Sequence, residues 1–125
     1  MSEAKITLPW PPTVNHYHQP VKRGRSVRII KGSKARKYES DVLYLMIDSG
    51  QFNLNLSGKL SIKMTLNPPT LAKYDIDNRT KAVFDSLTAA KVWEDDEQVY
   101  SLLIEKGEKV EGGNVEIIID SLDKL

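Results

Sequence analysis

Residues 59–66 set Leu60, Ile62, Met64 and Leu66 against Ser61, Lys63 and Thr65, and Asn67-Pro68-Pro69 closes the run. A period of two puts every apolar side chain of such a run on one face. The chain must therefore build a sheet with one covered face, and something else in it must supply the cover. Two segments with a helical period do so. Ser33 is expected to cap a helix that runs to about residue 49 and is closed by Gly50, with Ala35, Tyr38, Val42, Leu45 and Met46 on one face. A second helix is predicted over residues 78–90, with Val83, Phe84, Leu87 and Ala90 turned inward.

The remaining strands are read from shorter signals. Lys5-Ile6-Thr7-Leu8 alternates and is stopped by Pro9, Pro11 and Pro12. Residues 98–106 and 114–120 read as two closing strands, joined across Gly112-Gly113 in an expected antiparallel hairpin. No period holds over residues 13–32, which predicts a long loop with at most a small hairpin around residues 27–30. The order strand, helix, strand, helix, strand, strand predicts an α+β fold, with helices on one face of a mostly antiparallel or mixed sheet. At 125 residues this is expected to be one domain spanning 1–125.

Composition narrows the chemistry. The chain has no cysteine and two histidines, His16 and His18. Disulfide scaffolds, thiolate zinc sites and cysteine nucleophiles are thereby excluded, a multi-histidine metal site is disfavoured, and a reducing cytoplasm suits the chain. Any metal would be a hard cation held by carboxylates. No long apolar run and no basic-then-apolar leader is present, so neither a membrane partner nor a signal peptide is expected.

The net charge of +1 averages two opposed regions. Residues 1–50 hold nine Lys/Arg against four Asp/Glu, whereas residues 94–125 hold three against ten. Lys22, Arg23, Arg25, Arg28, Lys31, Lys34, Arg36 and Lys37 follow one another with no acidic residue between them. Such a run is either a solvated surface or an arm that tracks a polyanion's phosphates.

Asp75-Ile76-Asp77-Asn78 carries the densest chemical signal. In extended backbone, residues two apart share a side, so Asp75 and Asp77 would present two carboxylates roughly 7 Å apart to one cation. Asp77 is expected at the start of the second helix, where the macrodipole favours negative charge, with Lys81 one turn further on. The plainer alternative makes Asp77 a helix cap, Asp75 an exposed turn residue and Lys81 an ion-pair partner of Asp77 or Asp85. The acidic run Glu94, Asp95, Asp96, Glu97 after the same helix tilts the balance toward a divalent site. Carboxylates gathered from two segments repel unless a cation joins them, and oxygen-only ligands select Mg²⁺ or Mn²⁺.

Taken together, these elements resemble the RusA family of Holliday junction resolvases. The resemblance runs from Ile6-Thr7-Leu8-Pro9-Trp10-Pro11-Pro12-Thr13-Val14-Asn15 and Tyr17, through Asp75-Ile76-Asp77-Asn78, Lys81 and Phe84-Asp85-Ser86-Leu87. It ends in Val92-Trp93-Glu94-Asp95-Asp96-Glu97-Gln98-Val99. It implies a homodimeric, Mg²⁺-dependent endodeoxyribonuclease, with Mn²⁺ as a substitute, that resolves four-way DNA junctions by paired symmetric nicks in recombination and repair. It places the metal ligands on Asp75, Asp77 and Asp96, with Asp95 in reserve for the third position, and the essential lysine on Lys81. It puts DNA contacts on Asn15, Tyr17, Lys22, Arg23, Arg25, Arg28, Lys31 and Lys34. Lys73-Tyr74 departs from the family's pattern, in which arginines or a proline often stand. His16 and His18 are assigned no ligand role. A catalytically silent, structure-selective DNA-binding dimer is the alternative. A nucleotide-sugar transferase using Asp-x-Asp is disfavoured by the chain's size.

Overall fold

A computed structural model describes residues 3–13, 18–23 and 26–123, the segments 18–23 and 26–31 by their backbone. The alternating runs become strands: β1 (Ala4–Pro9), β4 (Leu60–Asn67), β5 (Val99–Lys106) and β6 (Asn114–Ser121). They form one mixed sheet in the order β1-β6-β4-β5. β6 runs antiparallel to both neighbours, opposing Ile117 to Ile6 on one side and to Met64 on the other. β4 and β5 run parallel, pairing Ile62 with Leu102 and Met64 with Ile104.

Helices α1 (Ser33–Asp48) and α2 (Thr80–Ala89) cover the apolar face. Ile6 and Leu8, Ile62 and Met64, and Ile117 and Ile119 are buried there against Tyr38, Val42 and Met46 of α1 and Val83 and Leu87 of α2. Burying each large aliphatic side chain contributes about 1.5–3 kcal/mol before entropy is counted, so this shared cluster is what holds the layers together. Leu45, predicted on the inner face of α1, packs only partly against it. The α+β class and the element order are as the sequence predicts.

Four local expectations are corrected. The closing strands are not a hairpin, because β4 lies between β5 and β6. Their connection instead crosses the end of β4, where the Gly107 N–H donates to the Leu66 carbonyl at 2.7 Å and the Val110 N–H to the Pro68 carbonyl at 2.9 Å. Parallel β4 and β5 need a crossover element between them, and α2 is that element. The small hairpin expected around residues 27–30 is longer than predicted and takes in much of the expected loop, with β2 (His18–Arg23) paired antiparallel with β3 (Ser26–Lys31) as a second sheet. Its strands lack alternation, and the backbone ladder forms without it. Gly32, in extended conformation, is the residue before α1, so Ser33 is the first helical residue rather than its cap. Finally, α2 starts at Thr80 rather than residue 78, with Arg79 ahead of it, because residues 76 and 77 form a turn.

One glycine matters for the site. Gly113 has φ 72°, and a Cβ there would stand 2.9 Å from the Trp10 Cβ and 2.8 Å from the Pro69 Cδ. The bare backbone lets the end of β1 settle against the loop that leaves β4.

Candidate active site

The loop from β4 to α2 carries the first acidic segment. Asp75 and Asp77 are both exposed, and the turn at residues 76 and 77 replaces the extended backbone expected from the spacing. Asn78 Nδ2 donates to Asp75 Oδ2 at 3.3 Å. Asp77 lies three residues before α2 and is not its cap.

The flanks of this turn are held by two cations stacked on two aromatic rings. Lys106, at the end of β5, donates from Nζ to the Tyr74 carbonyl at 2.8 Å and stands 4.4 Å over the Tyr74 ring. Tyr74 meets Trp10 edge to face, with ring centroids 5.4 Å apart. The Arg79 guanidinium stacks 4.6 Å over Trp10, and its Nη1 donates to the Pro11 carbonyl. Arg79 Nε is buried and has no hydrogen-bond partner among the described residues. Burial pushes the Arg79 guanidinium below its ordinary pKa and the Tyr74 phenol above its own. A cavity of about 650 Å³ opens here, lined by Tyr74, Asp75, Asn78, Arg79 and Lys106 among others.

The second acidic segment is anchored differently. Trp93 is buried, donates from Nε1 to Thr88 Oγ1 at 2.6 Å, and meets Phe84 edge to face at 5.6 Å. Gln98 ties the turn from both ends of its amide. Its Oε1 accepts from the Glu94 and Asp95 N–H groups at 2.9 and 3.1 Å, and its Nε2 donates to the Leu56 and Gly58 carbonyls at 3.0 Å each. Asp95 Oδ1 accepts from the Glu97 N–H at 3.1 Å, capping the 3-10 turn Asp96–Gln98. Asp96 is half-buried. Burial raises its pKa, as do the hydrogen bond and charge of Asp95 and the charge of Asp85, while Lys81 pulls the other way.

Lys81 sits in the first turn of α2, with Nζ 3.1 Å from Asp85. The ion pair with Asp85 that the plainer reading foresaw is therefore present. The fold thus brings Asp96, Asp85 and Lys81 into one electrostatic neighbourhood. Asp75 and Asp77 lie in the exposed turn, and no three acidic or histidine side chains converge on one point among the described residues. The donor set itself fits a hard divalent cation: every candidate is a carboxylate, and one of them is crowded by other carboxylates.

Among the DNA-contact residues expected from the resemblance, Asn15, Tyr17 and Arg25 lie outside the described residues. Lys22 and Arg23 fall on β2, and Arg28 and Lys31 on β3. Lys34 is exposed in the first turn of α1 and, with Lys37, Pro11, Pro12 and Arg79, lines a cavity of about 460 Å³. Sequence reasoning did not single out Arg79 or Lys106. Arg79 lay within the acidic motif, so its proximity was visible. Lys106 carried no local signal, because it reaches Tyr74 across 32 residues of chain.

The family model described as Endodeoxyribonuclease RusA matches residues 9–120. The chain is 33% identical over 122 residues to Crossover junction endodeoxyribonuclease RusA of Escherichia coli (strain K12), covering 98% of both chains. It is 34% identical to the protein of that name from Escherichia coli O139:H28 (strain E24377A / ETEC), again over 98% of both. The relative from Enterobacteria phage 82 is 33% identical over the same 98%.

Proposed function

The chain belongs to the RusA family of endodeoxyribonucleases, and from that membership we propose that it is a Mg²⁺-dependent enzyme that resolves four-way DNA junctions. It acts as a homodimer in the cytoplasm, serving recombination and repair, and makes paired nicks related by two-fold symmetry. A junction has approximate two-fold symmetry, and a C2 dimer presents two sites related in the same way. No helix among the described residues is long and apolar enough to cross a membrane. The observation that best supports the reading is the half-buried Asp96, held beside Asp95, Asp85 and Lys81 in a family whose members are named as nucleases.

Asp75, Asp77 and Asp96 would hold the Mg²⁺. When bound, the cation lowers the pKa of a water and offsets the charge that develops on the phosphate. The protein's own part is positional. Gln98 and Trp93 fix the backbone that carries Asp96. Asp85 holds the Lys81 ammonium on the same side of α2, where it stabilises negative charge on the phosphate or orients the nucleophile. The cations of β2 and β3 carry the arms of the junction through phosphate contacts.

The test is a synthetic four-way junction with Mg²⁺, beside a linear duplex of matching sequence. The junction is expected to give nicked duplex products cut at symmetry-related positions, with the linear duplex left intact. Binding without cutting, unchanged by Asp77→Asn, would identify a silent DNA-binding dimer instead.

A further inference from the structure

We propose that Arg79 and Lys106, stacked on Trp10 and Tyr74, form a subsite that binds a backbone phosphate of the DNA strand passing the Asp75 turn. The inference rests on the DNA substrate proposed above and assigns two cations to it. Lys37, Lys63 and Lys81 are each paired with a carboxylate, whereas no carboxylate lies within ion-pair reach of Arg79 or Lys106 among the described residues. Both heads are nevertheless held in place, one over each ring. Arg79 spends one donor on the Pro11 carbonyl and Lys106 one on the Tyr74 carbonyl. The other donors of a five-donor guanidinium and a three-donor ammonium remain for an acceptor from outside. A guanidinium partly stripped of water by burial, with no carboxylate partner among the described residues, gains more from an incoming anion than a solvated one does.

Placement selects a polyanion over a small free anion. Arg79 lines two cavities, the one holding Asp75 and Lys106 and the one holding Lys34 and Lys37. The two also share Thr13, and Asp41, which lines the second, is already paired with Lys37, so Lys34, Arg79 and Lys106 mark a path from the start of α1, across Arg79, to the end of β5. Successive phosphates of one strand engage Lys34, Arg79 and Lys106 together, whereas a single small anion cannot. A base stacked in the cleft is the poorer fit, since each ring already has one face under a cation.

Binding of a labelled four-way junction, measured in EDTA so that nothing is cut, tests this across a salt titration. Lys106→Met and Arg79→Gln should each weaken binding on the order of tenfold near 0.1 M salt and lower the log–log salt slope by about 0.9. Lys63→Gln, on the sheet's other face, should change neither. Neutral methylphosphonates placed singly along the cut strand should reveal a position to which the wild-type protein is sensitive and Lys106→Met is not. Wild-type protein that binds junctions while both variants keep its affinity and slope overturns the subsite and leaves the nuclease reading standing. Wild-type protein that binds no DNA overturns both. Should Arg79→Gln fail to fold once its hold on Pro11 is lost, Lys106→Met decides alone, because it keeps an apolar side chain against Tyr74.

Discussion

Asp96 occupies a turn that Gln98 ties at two N–H groups and two carbonyls, whereas Asp75 and Asp77 occupy an exposed turn held at its flanks by Lys106 and Arg79. The two segments bracket the same helix and carry the same kind of side chain. Their mechanics differ because one is built on the core and the other leaves it. Trp93 is inside, so the chain just after it inherits the rigidity of the packed layer. The 73–79 loop has no buried side chain, and its position depends on cation–aromatic contacts worth about 0.5–2 kcal/mol each. One carboxylate is thus held against the packed layer at an electrostatic cost, and two stand exposed.

The largest expected effect tests whether both segments serve one site. Asp75→Asn, Asp77→Asn and Asp96→Asn should each reduce junction cleavage on the order of 10³-fold or more while binding persists. Single-turnover cutting with saturating protein is the measurement. If Asp96→Asn is inactive and the other two cut at the parental rate, the exposed turn is no part of the metal site and the comparison collapses to a structural one.

Lys81 comes next. As a surface partner of Asp85 its removal would cost roughly 0.3–0.5 kcal/mol of stability and no activity. As a group acting on the phosphate, Lys81→Ala should slow the same single-turnover reaction on the order of 10²-fold with little change in binding. Lys81→Arg sharpens the assignment: a lysine that acts as a charge is partly replaced by arginine, and one that orients water is not. Cutting by Lys81→Ala within about threefold of the parent would return the residue to the helix surface.

The mechanical contrast predicts unequal costs for two amides. Gln98→Ala strands two backbone N–H groups and two carbonyls and should cost about 1–3 kcal/mol by urea unfolding. Asn78→Ala removes one exposed hydrogen bond and should stay within about 0.5 kcal/mol. Equal losses would show that the two turns are equally anchored.

The smallest effect is a pH dependence carried by Asp96. Its pKa is raised in the folded protein by burial and by Asp95 and Asp85. A carboxyl with a raised folded pKa favours the folded state below its unfolded pKa, and that contribution is lost as pH rises through the folded value. In metal-free buffer, Asp96→Asn should therefore raise the melting temperature slightly at neutral pH, by no more than about 2 °C for a half-exposed, screened group. The gain should vanish toward acid. A gain that grows on acidification would mean the carboxyl is stabilised in its charged form.

Much of this molecule was legible locally. Alternation at Leu60, Ile62, Met64 and Leu66 named the buried face of β4, and the spacing of Ala35, Tyr38, Val42 and Met46 named that of α1, as burial bears out. The acidic motifs and the proline-rich opening announced the family, because a spaced set of chemical groups survives in the order of residues. Periodicity states which face a side chain takes but not which strand lies alongside. Only the tertiary structure put β4 between β5 and β6, since pairing partners are chosen by contacts distant in sequence. The turn at residues 76 and 77, which stands where the spacing of Asp75 and Asp77 predicted extended backbone, is likewise a matter of how the loop is pinned. Its pins come from Trp10 and Pro11 at one end of the chain and Lys106 near the other. Such contacts form when the sheet brings β1 and β5 to the same loop, and no stretch of sequence contains them.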